Sequence, residues 1–119
     1  MGQYFMPVNK TKREYFTAWE IGGTANLYEW CANPEAGVLA YLLRKSDESG
    51  GGDIEMDHSI DFAGRWAGDE VYLIGDYDSS NLYQEAKNQY DNIAQPLVAE
   101  YNQFMGSKEC QLTYEPLDG

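Results

Sequence analysis

Apolar and aromatic positions fall along this chain in short bursts as far as residue 75, and in one long helical stripe after residue 81. Gln3–Val8 and Arg13–Trp19 are rich in aromatic and β-favouring residues. The polar run Asn9–Lys12 between them has hairpin-loop length, so the pattern predicts a β-hairpin. Pro7, near the end of the first segment, points to an edge strand, where a missing N–H does least harm. After Ile21 come Gly22-Gly23-Thr24, with Thr24 placed to cap a helix carrying Leu27, Tyr28, Trp30 and Cys31. Pro34 disfavours helical geometry at Asn33 and keeps that helix short.

Gly37–Leu43 is apolar throughout and fits either helical spacing or a buried strand. The polar, Gly-rich connection Ser46–Asp53 that follows favours the strand. Val71-Tyr72-Leu73-Ile74 reads as a buried strand entered through Ala67-Gly68-Asp69 and left through Gly75-Asp76. From Asn81 onward Leu82, Ala86, Tyr90, Ile93, Leu97, Tyr101 and Phe104 step by three or four and form one apolar stripe. Asn81 and Gln84 approximate a capping box, and Gly106 stands where a helix would stop. Pro96 lies inside the stripe and predicts a kink, or a break into two helices, near Ala94. Cys110–Tyr114 alternates like a last strand. The expected fold is a single α+β domain over residues 1–119: an antiparallel sheet of the N-terminal hairpin and central strands, packed with a short helix and a long, Pro-kinked C-terminal helix.

Composition agrees with one domain. The chain has 119 residues, of which 43% are hydrophobic, enough to offset the ordering entropy of a compact fold. Charge changes the picture more. Eight basic residues stand against twenty acidic ones, a net charge of −12, which disfavours direct nucleic-acid binding and docking on anionic membranes. Residues 1–46 are nearly balanced, whereas residues 47–91 hold twelve acids and two bases. A field that lopsided concerns partners and solubility rather than fold. The opening MGQYFMPVNKTKREYF has no apolar leader core, and no apolar run approaches the roughly 20 residues that span a bilayer. The expected setting is the cytoplasm, with Cys31 and Cys110 as reduced thiols; two cysteines this far apart suit neither a zinc cluster nor a disulfide framework.

Several constellations are candidates for chemistry. Asp53, Glu55 and Asp57, if extended, would project from one face about 6–7 Å apart, close to the phosphate spacing of a nucleic-acid strand. With Asp61, Asp69, Glu70, Asp76 and Asp78, and with Trp66 and Tyr77 as aromatic anchors, they form the candidate partner-binding set, suited to a basic protein surface. Against this stands a solvated acidic surface that keeps a small domain soluble. Asp76, Asp78 and Ser80 resemble the first ligands of a calcium loop. Asn81 at the sixth position and Lys87 at the twelfth reject an EF-hand, leaving only a looser site shared with Asp53 or Asp57. Gly22, Gly23 and Thr24, with Lys12 or Arg13 as counter-charge, are a candidate anion-binding turn, but the Lys of a phosphate-binding loop and the third glycine of a dinucleotide fingerprint are missing. His58, the sole histidine, reads as a surface residue, and Cys31 as a core residue beside Trp30. No catalytic set, metal site or cofactor is expected.

The stretches MGQYFMPVNKTKREYF and GRWAGDEVYLIGDYD resemble those of a family of small uncharacterised bacterial and phage proteins, which carry an MGQY opening, a Gly-rich linker and a GxWAGD…GDY strand. The resemblance covers Met1–Arg13 and Gly50–Asp78. It implies no activity. What it implies is a phage or mobile-element context, and with it a host-directed binding protein such as an inhibitor of a defence nuclease. The leading expectation is a non-enzymatic module that blocks a basic surface with its acidic 47–78 region. The competing one is a nucleotide or small-ligand binder, or an enzyme, working at Gly22–Thr24.

Overall fold

The computed structural model describes residues 2–48, 50–54, 60–106, 109 and 111–117; Glu55, Asp57, His58 and Cys110 lie outside them. Four strands, β1 (Phe5–Asn9), β2 (Glu14–Tyr15), β3 (Val71–Gly75) and β4 (Asp91–Asn92), form one sheet in the order β3-β1-β2-β4. The α+β class and the hairpin are as read from the sequence. The sheet is mixed rather than antiparallel: β1 runs antiparallel to β2 and β3, but β2 and β4 are parallel. The crossover from β3 through a helix returns the chain in its original direction, which is also that of β2.

β1 is an inner strand, so Pro7 is not at an edge. The Tyr4 carbonyl accepts from Asp76 N–H, and Lys10 N–H donates to the Glu70 carbonyl. Even-numbered residues of β1 therefore aim their backbone at β3, and Pro7 faces the other way. On that side the pairing with β2 reaches only to Val8 opposite Tyr15, so no ladder bond is lost.

The helices are α1 (Leu27–Ala32), α2 (Gly37–Leu43), α3 (Leu82–Gln89) and α4 (Ala94–Met105). α1 is capped at Asn26 rather than Thr24, because the Ala25 carbonyl is held by Phe5 N–H at 2.7 Å and the chain stays extended one residue further. Its buried residue is Trp30; Cys31 is exposed, not part of the core. Gly37–Leu43 is a helix, correcting the strand reading. Val38, Tyr41 and Leu42 are buried at helical spacing, and the Tyr41 and Leu42 carbonyls near its end accept from Gly64 and Trp66 N–H at 2.9 Å each. α3 starts without a side-chain cap from Asn81; Ser80 Oγ accepts from Leu82 N–H instead. Pro96 sits in the first turn of α4, where its absent N–H is an orphan in any case. Residues 111–114 form no strand, since Asn102 on α4 donates to the Leu112 carbonyl and accepts from its N–H, pinning the tail to a helix.

The sheet separates two apolar clusters. Met6, Val8, Tyr15 and Ile74 meet Leu82, Tyr83, Ala86 and Tyr90 on one face. Phe16, Trp30, Trp66, Leu42, Leu97 and Tyr101 belong to the larger cluster on the other. The break between α3 and α4, expected from Pro96, is what allows one sequence stripe to serve both faces.

Gly64 turns the 61–67 loop with φ +74°, and a Cβ there would meet the Arg44 carbonyl oxygen at 2.6 Å. Gly64→Ala is expected to lower stability by roughly 1–3 kcal/mol, read from urea unfolding midpoints.

Candidate functional site

The acids of the 47–91 stretch separate into two groups once their partners are visible. Asp53 accepts from Arg44 Nε (2.6 Å) and Nη2 (2.5 Å), which holds its carboxyl below the ordinary aspartate value. Asp69 is bonded by Lys12 Nζ at 2.5 Å and Asn9 Nδ2 at 2.9 Å and is likewise held low, Lys12 first and Asn9 second. These two clamp loops. Asp61 is exposed, and its backbone N–H donates to Glu100.

A second set, Glu70, Asp76, Asp78 and Glu85, lies beside β3, whereas Asp47 and Glu48 stand near Arg44 and Asp91 is on β4 at the opposite edge of the sheet. A groove of about 460 Å³ lies between β3 and α3, walled by Tyr72 and Ile74 from β3, Leu82 and Glu85 from α3, and Asp78 from the turn between them. Tyr72 is 44% exposed, and its hydroxyl donates to Glu70 Oε2 at 2.6 Å. That bond, with the carboxylate charge, pushes the Tyr72 phenol up. Asp78 accepts from Ser80 Oγ and N–H, and these bonds hold its carboxyl down, so it stays ionised at neutral pH. Among the described residues the one basic side chain lining the groove is Lys10, whose Nζ stands 3.8 Å from Glu70. Asp76 turns back to accept from Tyr4 N–H, and Tyr77 beyond it is 62% exposed.

Of the proposed partner-binding set, then, Asp78 lines the groove, Glu70 is bonded to the Tyr72 hydroxyl on its wall, and Asp76 and Tyr77 are on the adjoining turn. Trp66 is not at a surface. It is fully buried, and its Nε1 donates to Glu14. Glu55 and Asp57 lie outside the described residues. Lys10, Tyr72, Ile74, Ser80, Leu82 and Glu85 complete the groove and were not in the set. Their signal in the sequence is weak: Leu82 and Glu85 are three apart on the helix that follows the GDYD turn.

The Gly22-Gly23-Thr24 turn does not assemble into an anion site. Gly23 N–H is bonded to the Ala18 carbonyl, and the Thr113 backbone lies across Gly22, 3.3 Å from where a Cβ would stand. Lys12 is on Asp69, and the Arg13 guanidinium lies over the Tyr90 ring at 4.7 Å. Among the described residues no group of three or more His, Cys, Asp and Glu side chains is arranged to hold a metal ion, and no helix is long and apolar enough to cross a membrane.

Two buried carboxylates outside the acidic stretch hold the loop that leads into β3. Glu14 on β2 accepts from Arg65 Nε at 3.0 Å, from Arg65 Nη2 at 2.5 Å and from Trp66 Nε1 at 2.9 Å. Glu100 on α4 accepts from the Tyr41 hydroxyl at 2.7 Å and from the N–H groups of Asp61, Phe62 and Ala63 at 2.6–3.1 Å. No protein-family model, curated protein or solved structure matches this chain.

Proposed function

We propose that this protein is a small acidic interaction module that takes a basic segment of a protein partner into the groove between β3 and α3 and so blocks a basic, nucleic-acid-binding surface. The observation that carries this reading is the groove itself. Asp78, Glu85 and Glu70 stand around exposed Tyr72, with Lys10 as the lone opposing charge among the lining residues. Carboxylates beside an aromatic ring suit Lys and Arg, by charge-assisted hydrogen bonds and by stacking over the ring. The setting proposed with it is host-directed and cytoplasmic, with a defence nuclease as the kind of partner, as a resemblance of the MGQY and GDYD stretches to small bacterial and phage proteins would imply. The clamped acids Asp53 and Asp69 have no part in it.

The test uses a labelled Lys/Arg-rich decapeptide as probe. Asp78→Lys combined with Glu85→Lys is expected to weaken its binding at least tenfold and flatten the salt dependence. Asp47→Lys, a reversal at another exposed acid, should change it less than twofold. Equal effects at both places, or no binding by the parent protein at low salt, would overturn the reading.

A further inference from the structure

We infer that the basic segment docks as an added strand on the outer edge of β3, a mode that rests on the reading above and specifies the shape of its ligand. β3 is one of the two terminal strands of the sheet. In its register with β1, Tyr4 pairs with Asp76 and Lys10 with Glu70 through backbone hydrogen bonds. By the alternation of an antiparallel ladder, Tyr72 and Ile74 spend their backbone groups on β1, and Val71 and Leu73 turn theirs outward. Among the described residues nothing bonds the outward N–H and C=O of Val71 or Leu73, whereas the Gly75 carbonyl is closed off by Asp78 N–H.

An open edge with the sequence Val-Tyr-Leu-Ile lacks the usual protections against strand addition: it has no proline, no lysine and no charged side chain. The charges flank it instead, as Glu70 before β3 and Asp76 and Asp78 after it. A second copy of the chain, at a net charge of −12, would bring these acids against their equivalents, so the edge repels itself and favours a basic strand.

Side chains of an added strand alternate between the faces of the sheet. Those on the α3 face would stand over Tyr72, Asp78 and Glu85, about 6–7 Å apart. Those on the other face would lie beside Val71 and Leu73, which are partly buried against the larger core. The ligand is therefore an extended segment in which Lys or Arg alternates with Val, Ile or Thr, recognised by backbone pairing as well as charge.

The experiment titrates ¹⁵N-labelled protein with an eight-residue peptide alternating Arg and Val. The amides of Val71 and Leu73 should exchange at least tenfold more slowly in the complex. N-methylation of the alternate peptide amides that face β3 should weaken binding at least tenfold, while methylation of the other set should leave it within twofold. If Asp78→Lys with Glu85→Lys abolishes binding but both methylated peptides bind alike, edge pairing is overturned and the groove reading survives. If the charge reversals have no effect, the groove reading itself falls. A peptide-free dimer with Val71 and Leu73 already protected would show that a second copy occupies the edge, and would overturn the inference.

Discussion

Glu14→Ala is expected to cost about 3–5 kcal/mol, from a buried indole N–H left without its acceptor and the cavity that remains. The Glu14 side chain is 6% exposed, and it accepts from both Arg65 and the indole N–H of a fully buried tryptophan. Burial alone would raise its carboxyl, but the hydrogen bonds from Arg65 and Trp66 and the Arg65 charge outweigh burial and leave the group below its ordinary value. Alanine removes the acceptor and strands the Trp66 N–H in the core, where Trp66 also meets the Phe16 ring at a centroid distance of 5.7 Å. Arg65 is 36% exposed and can be rehydrated, so most of the cost comes from the tryptophan and the cavity. Glu14→Gln keeps one oxygen facing the indole and should lose only about 1–2 kcal/mol. Urea unfolding followed by tryptophan fluorescence measures both. Equal losses for Ala and Gln would show that the Arg65 ion pair, rather than the indole acceptor, carries the effect.

Glu100→Ala should follow, at roughly 2–4 kcal/mol, because three backbone N–H groups and the Tyr41 hydroxyl lose one shared acceptor. Here the pH dependence is informative. Burial pushes the Glu100 carboxyl up, yet the hydrogen bonds from Tyr41 and from Asp61, Phe62 and Ala63 leave it net lowered from the ordinary 4.5. The carboxylate form is thus favoured by folding. Its contribution is whole above pH 4.5 and drains away as pH falls through the lower folded-state value. Burial and the Glu100 carboxylate push the Tyr41 phenol far up, so that hydroxyl stays a donor throughout the range. Glu100→Gln sets amide hydrogens against backbone N–H groups and cannot titrate. Its stability should be lower at pH 7 and should fall less steeply than the parent's between pH 5 and 3. Parallel curves for parent and variant would mean that Glu100 is not the group that titrates.

The candidate site was legible as charge and not as geometry. The acidic stretch is plain in the sequence, but its division into clamps and groove depends on partners far along the chain. Lys12 reaches Asp69 across 57 positions, and Arg65 reaches Glu14 across 51. No local pattern encodes such distances. Trp66 looked like an anchor because tryptophans favour interfaces, and the structure gave it to the core because its one polar atom found a buried acceptor. Glu100 did leave a trace: it lies three residues after Leu97 and four before Phe104, on the apolar face of its own helix. A carboxylate in that position signals that donors will converge on it.

By itself the sequence determined the α+β class, the N-terminal hairpin, a strand at 71–74 (read as buried, though the structure sets it at the sheet edge with Tyr72 exposed), the interrupted C-terminal helical stripe and the acidic excess. Each of these follows from short-range terms: alternation, helical period, proline geometry and residue counts. The tertiary structure decided what depends on two distant segments meeting. It made Gly37–Leu43 a helix by supplying donors for its last carbonyls, and it placed the proline-bearing strand inside the sheet because its bare side met no ladder. It also sent the two halves of one apolar stripe to opposite faces. The extended residues Asp91–Asn92 pair with β2 between α3 and α4, and there the backbone trades helical bonds for sheet bonds, turning a single amphipathic pattern into two covers for one sheet.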